Sequence, residues 1–210
     1  MGTEQGTFTV AKTIGDVEVE RIVGPGDAKN VKLSSFWQDQ PVIVHVLRRF
    51  GCQLCRGAAV EMGKIFPQLE ASGVRIVGVG IEKLGLEEFQ QGGFWKGELY
   101  IDNGKKIHKA LDIKSVGILG TVKMLLTNQA VKDGWKKTKD TPGNIKGDGR
   151  QLGGTFIFAK GGEMLRDFRQ EHFADHLTNV AILEALGLDS SAAKAAAPAE
   201  EAVCSDTPGH

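Results

Sequence analysis

An excess of charge of one sign, long apolar runs and cysteine are what this chain lacks. Twenty-six Lys and Arg balance twenty-six Asp and Glu across 210 residues, so no broad electrostatic footprint draws it to nucleic acid or an anionic bilayer. A spanning helix needs about 20 predominantly apolar residues, and the best run, Val42 to Leu47, is short and contains His45. No membrane span is expected. Three cysteines cannot staple a secreted scaffold, and no Asn-x-Ser/Thr acceptor occurs. Residues 1–6 carry neither the basic nor the apolar region of a secretory signal. Gly6 stands where a myristoylation signal wants Ser or Thr. The reducing cytosol is the expected compartment. What the chain has in surplus is glycine, 28 of 210 residues or about 13%, against an average of about 7%. With 41% hydrophobic and 25% charged residues it is otherwise an ordinary globular composition.

Strand and helix patterns alternate. Pro41 to Leu47 reads as a buried strand, and Leu54, Ala58, Met62, Ile65 and Leu69 form the apolar stripe of a helix that Pro67 should kink or shorten. Val74 to Gly80 is a second strand, Leu84 to Gln91 a helix, Glu98 to Asp102 a third strand, and Lys105 to Leu111 another helix. Asp112 to Gly153 reads as an insertion, with a helix-like segment over Val122 to Val131 and a surface loop over Asp140 to Gly149. Thr155 to Lys160 and Glu163 to Phe168 flank Gly161-Gly162 as a tight hairpin would, and a helix over Asp175 to Leu186 ends at Gly187. This order predicts an α/β thioredoxin-like fold, a mixed central sheet with helices on both faces. Residues 1–188 are expected to form one domain, and the Ala-rich tail over 189–210 to be disordered.

The sharp motif is Cys52-Gln53-Leu54-Cys55, at a strand-to-helix junction, a redox signature. The first cysteine sits where unpaired N–H groups and the helix dipole favour an anion, so Cys52 is the expected nucleophile. Cys55, one turn on, is placed to resolve its adduct as a disulfide. Arg48, Arg49 and Arg56 add positive potential, and strand alternation sends only one of the first two toward the thiol. Zinc would need four ligands, and the third cysteine, Cys204, lies in the tail. A merely structural cysteine pair is the other alternative. Gly78-Val79-Gly80 imitates a dinucleotide fingerprint, but Lys83 stands at the third glycine position, so no cofactor-binding site is assigned. His45 reads as a core histidine rather than a base. His172 and His176 fit either an approach to the cysteines or cap and surface roles. Phe89, Phe94 and Trp95 fit a core better than a substrate groove.

Taken together, Leu47-Arg48-Arg49-Phe50-Gly51-Cys52 with Cys55-Arg56, Gly73 to Gly80, Leu84 to Phe89, Gly97 to Asp102, Gly143 to Gly149 and Leu152 to Gly154 resemble the peroxiredoxin-like 2 group, nearest its prostamide/prostaglandin F synthase branch. The resemblance covers about residues 30–187 and extends to selenoprotein U, which carries selenocysteine in this motif. It implies a cytosolic thiol oxidoreductase that reduces the endoperoxide of prostaglandin H2 or its ethanolamide to the F-type diol. NADPH would be the ultimate donor, through a separate thioredoxin-type reductant, with no tightly bound cofactor and no metal. Where a typical peroxiredoxin has Thr or Ser three residues before its cysteine this chain has Arg49, which is therefore the favoured catalytic arginine beside Cys52 and Cys55. Two other functions share these cysteines: a thiol peroxidase acting on lipid or alkyl hydroperoxides, and a redox-sensing regulatory module.

Overall fold

The computed structural model describes residues 4–22 and 29–197. Before Pro41 lie helix α1 (Glu4–Gly15) and two antiparallel strands, β1 (Glu18–Arg21) and β2 (Lys29–Lys32). The apolar run forms β3 (Val42–Val46), buried at every position. The stripe after it breaks into α2 (Gln53–Gly63) and α3 (Phe66–Ala71), because Pro67, which has no N–H to donate, occupies the first turn of the second helix. Then come β4 (Arg75–Gly80), α4 (Leu86–Gln91), β5 (Glu98–Ile101) and α5 (Lys106–Ala110).

The expected insertion holds two helices, α6 (Ile118–Thr127) and α7 (Gln129–Lys137). Strands β6 (Gly154–Phe158) and β7 (Met164–Arg169) pair as the expected hairpin, through a turn in which Gly161 and Gly162 take φ values of 88° and 95°. The last predicted helix starts late, as α8 (Asn179–Ala185), because Thr178 Oγ1 accepts the Ala181 N–H at 3.2 Å and caps it there. Part of the expected disordered tail is a short helix, α9 (Ser191–Ala196). Asp189 caps Ser191, and the Lys194–Glu184 ion pair at 2.8 Å ties α9 to α8. The rest of that tail, Cys204 included, lies outside the described residues.

The strands form one sheet in the order β2-β1-β5-β4-β3-β6-β7, with β3, β4 and β5 parallel and every other pairing antiparallel. Parallel crossovers are right-handed almost without exception, and because those from β3 to β4 and from β4 to β5 step in one direction, the rule assigns α2, α3 and α4 to one face. Strands β3 and β6, buried along their whole length, are covered on both faces, so the mixed α/β sheet is that of the expected thioredoxin-like fold. Among the described residues no helix is long and apolar enough to cross a membrane.

Packing explains the glycine pair of β4. A Cβ on Gly78 would stand 2.9 Å from Leu99 Cδ2, and one on Gly80 2.4 Å from the Phe50 ring. The glycines thus admit one side chain from the neighbouring strand β5 and one from the Cys52 turn. Phe50 is fully buried against Phe89, ring centroids 5.0 Å apart, and has no room to retreat. Gly80→Ala is accordingly expected to cost about 1 to 3 kcal/mol by overpacking, read as a lower urea midpoint. An unchanged midpoint would show that the Phe50 ring yields.

Candidate active site

Strand β3 ends at Val46, and Leu47 N–H still reaches Val79 O at 2.8 Å before the chain leaves the sheet. The following turn carries Arg48 to Cys52, and α2 begins at Gln53. Cys52 is the N-cap of α2. Its sulfur accepts the Cys55 N–H at 3.5 Å, in the place where a capping oxygen usually sits. Both cysteines are free and buried, Cys52 being 3% exposed.

The arginine that meets Cys52 is Arg48, not the expected Arg49. Arg48 Nη2 donates to Cys52 Sγ at 2.8 Å, and Nη1 to Gly149 O at 2.8 Å. Its guanidinium lies 4.2 Å from the Phe173 ring centroid, and the side chain is 4% exposed. Arg49 turns outward to Lys146 O at 3.3 Å. Only one of the pair meets the sulfur, as expected, but the choice of Arg49 from the peroxiredoxin position three before the cysteine fails, because the strand ends at Val46 and the turn that follows carries Arg49 outward. Arg56, the third arginine, donates to Phe50 O at 2.8 Å and Pro142 O at 2.7 Å, bracing the turn rather than the sulfur.

These contacts separate the two thiols electrostatically. A hydrogen bond from the Cys55 thiol, the positive charge of Arg48 and the Cys55 N–H together hold Cys52 well below the ordinary thiol range. They outweigh burial, which acts the other way, and Arg49 contributes least. Cys55 moves in the opposite direction. Donating to Cys52 and losing solvent both push its pKa well up, so the pair holds one thiolate, on Cys52.

The loop predicted over Asp140 to Gly149 is a cover for this turn. Asn144 N–H donates to Gly51 O at 2.7 Å, and a Cβ on Gly51 would overlap the Asn144 side chain at 2.0 Å. With Pro142, Lys146 and Gly149 offering carbonyls to the three arginines, the loop and turn interlock. Gln53, next to Cys52, donates to Thr138 O at 2.7 Å and so ties α2 to the end of α7.

The histidines divide. His45 faces Thr155 Oγ1 at 2.9 Å and stacks on Trp95 in the core. His176 Nδ1 accepts from Gln170 Nε2 at 3.0 Å, and the same glutamine's oxygen accepts the Gly153 N–H at 2.7 Å. Burial first, then the charges of His45, Arg48 and His172, push His176 down to about 3. Its Nε2, like Arg48 Nε and His172 Nδ1, is buried without a partner among the described residues. Phe89, Phe94 and Trp95 belong to the hydrophobic core and line no groove at Cys52. Among the described residues no three His, Cys, Asp or Glu side chains group to hold a metal ion.

Buried neutral histidines also set a pH dependence of stability. Burial pushes His45 and His108 down to about 4, from about 6.5 in the unfolded chain. Between those values the unfolded state binds more protons, so stability is complete above about 6.5 and falls as pH drops. With His176, held lower still at about 3, adding to these two, a loss of about 4 to 6 kcal/mol between about pH 7 and about pH 5 is expected from urea titrations. A flat profile would mean that the three rings already protonate in the fold.

Three comparisons place the chain. A sequence profile described as AhpC/TSA antioxidant enzyme matches residues 62–172, a stretch that begins beyond both cysteines. The prostamide/prostaglandin F synthase of Salmo salar is 42% identical over 165 residues, 78% of this chain and 82% of its own length. That of Sus scrofa is 39% identical over 180 residues, 83% and 89% of the two chains. Among solved structures, Xanthomonas campestris peroxiredoxin Q superposes with a TM-score of 0.54 at 14% identity, covering 89% of this chain and 96% of its own. Reduced Plasmodium vivax 2-Cys peroxiredoxin also gives 0.54, at 12% identity, covering 81% and 89%. The structural likenesses establish the fold; the sequence matches, which run along most of the chain, show that it belongs to the peroxiredoxin-like AhpC/TSA antioxidant enzyme family, in the group of the prostamide/prostaglandin F synthases.

Proposed function

We propose that this protein is a thiol-dependent oxidoreductase that reduces a prostaglandin H-type endoperoxide to the F-type diol, with Cys52 as nucleophile, Cys55 as resolving thiol and Arg48 as the cation beside the reacting sulfur. The observation that carries the reading is the 2.8 Å contact of Arg48 with the N-cap sulfur, above a thiol pair split in pKa. The names of its relatives supply the substrate class.

The chemistry balances on these groups. The Cys52 thiolate attacks one peroxide oxygen, an S–O bond forms, and the O–O bond breaks with its electron pair on the second oxygen. That alkoxide takes a proton from solvent. Cys55 then attacks the Cys52 sulfur and displaces the first oxygen, which leaves with the Cys55 proton as the second hydroxyl. A Cys52–Cys55 disulfide remains, and two electrons from an external dithiol, drawn ultimately from NADPH, restore both thiols. Arg48 serves twice, lowering the sulfur's proton affinity and meeting the negative charge that develops on oxygen. Because Cys52 is almost wholly covered, the loop over residues 140–149 must yield for a bulky substrate to reach it.

The family's peroxiredoxin character favours hydroperoxide reduction as a second reading, since the same steps cleave any O–O bond. A side-by-side assay decides between them: NADPH consumption coupled through thioredoxin and its reductase, with prostaglandin H2, an alkyl hydroperoxide and hydrogen peroxide. Fastest turnover of the endoperoxide to the F-type diol is expected. Faster turnover of a hydroperoxide would install the second reading, and a single stoichiometric oxidation with no turnover would make the protein a redox sensor.

A further inference from the structure

We propose that the outer face of α6, with the basic segment that follows it, seats the protein on the surface of an anionic lipid bilayer. The helix buries none of its residues fully. Ile118 is 70% exposed, Leu119 87%, Val122 49% and Leu126 66%. At about 100° per residue these four fall within an arc of about 100°, while Met124 and Leu125 turn toward the core. The outward stripe is thus a second apolar face on a helix whose inner face is already used. Single exposed aliphatics are ordinary, but four aligned on one helix mark a contact surface.

Charge says what covers it. Lys123 borders the stripe, and Lys132, Lys136, Lys137 and Lys139 follow on and just past α7, all exposed, against two acidic residues, Asp133, which pairs with Lys136 at 3.7 Å, and Asp140. Trp135 is 42% exposed in their midst, whereas the other two tryptophans are buried. Exposed Leu and Ile with Trp and a lysine cluster is the composition of a helix that lies in the headgroup region, its apolar face in the acyl boundary and its cations on anionic lipid. A second copy of this chain would bring the same net positive segment toward its own like charge, whereas an anionic lipid surface complements it. The balanced charge of the whole chain conceals this cluster, because most of the compensating acids lie elsewhere. The platform is joined to the candidate site, since Gln53 binds the C-terminal end of α7 and Gly134 packs on Leu54. Docking there sets the Cys52 turn near the membrane surface, and the inference stands whether or not the substrate is a lipid.

The test is co-sedimentation of the full-length chain with vesicles of phosphatidylcholine plus phosphatidylserine, and with phosphatidylcholine alone, alongside tryptophan emission. Binding to the mixed vesicles, weakening with added salt, and a blue shift that disappears in Trp135→Phe are expected. Leu119→Ser with Leu126→Ser should lower the partition by about ten-fold or more while leaving the fold and the reactivity of Cys52 unchanged. Lys132→Glu with Lys139→Glu should remove the preference for phosphatidylserine. No binding to either vesicle, binding undiminished in the leucine variant, or a dimer that the leucine variant dissociates would each overturn the proposal, the last by assigning the face to a second copy.

Discussion

Cys52→Ser is expected to abolish turnover, by at least about a thousand-fold, because the hydroxyl that replaces the thiol is not ionised at neutral pH and no neighbouring base activates it. The substitution is nearly isosteric and keeps an acceptor for the Cys55 N–H, so the α2 cap and the urea midpoint should survive. Cys55→Ser behaves differently. Its hydroxyl still donates to Cys52, so the first attack proceeds at close to the normal rate, but the Cys52–oxygen adduct has no internal thiol to displace it. One equivalent of peroxide should be consumed rapidly and then almost none. Cys55→Ala, which also removes the donor, should additionally raise the Cys52 pKa. Stopped-flow consumption followed by mass spectrometry of the trapped adduct separates these outcomes; sustained turnover in Cys55→Ser would mean that the resolving thiol comes from another protein.

Arg48→Ala should lower turnover about ten-fold to a hundred-fold, the rate equivalent of one charge-assisted hydrogen bond worth about 1.5 to 3 kcal/mol. The Cys52 pKa should rise in step, since Arg48 both donates to the sulfur and supplies charge. Truncating a buried side chain also loosens its contact with Phe173, so Arg48→Lys, which keeps the charge without the two-pronged geometry, belongs beside it. An intermediate defect in Lys with an unshifted urea midpoint assigns the loss to chemistry. Arg49→Ala should stay within about three-fold, because Arg49 ends on a loop carbonyl and lends Cys52 only a weak field. The reverse order of the two defects would restore Arg49 as the working residue.

Much of the architecture around the thiols is legible in the sequence because it rests on burial. The Val42 to Val46 run and the stripe of α2 and α3 carry their periods openly, and Pro67 announces the break between the helices. The sheet edge is not legible, since β1 and β2 have four residues each and bury little more than Val19. The choice between Arg48 and Arg49 rested on the peroxiredoxin spacing before the cysteine, which carries no information on how the turn after Val46 directs the two side chains. The cover over the turn was hidden for another reason. Its contacts are made by the backbone carbonyls of Pro142, Lys146 and Gly149, which every residue type possesses. The glycines at 143 and 147 were the available signal, marking a loop that must pass close to other chain segments.

The central claim is that a buried pair holds one reactive thiolate on Cys52, with Cys55 held as its thiol partner. Alkylation of the reduced full-length protein across a pH series, with the site of labelling read by peptide mass spectrometry, tests it directly. Cys52 should react first, at a rate that stays flat from about pH 8.5 down through neutrality and declines only in more acid solution, while Cys55 stays unlabelled. Labelling of Cys55 before Cys52, or a Cys52 rate still climbing through about pH 8.5, would contradict the account.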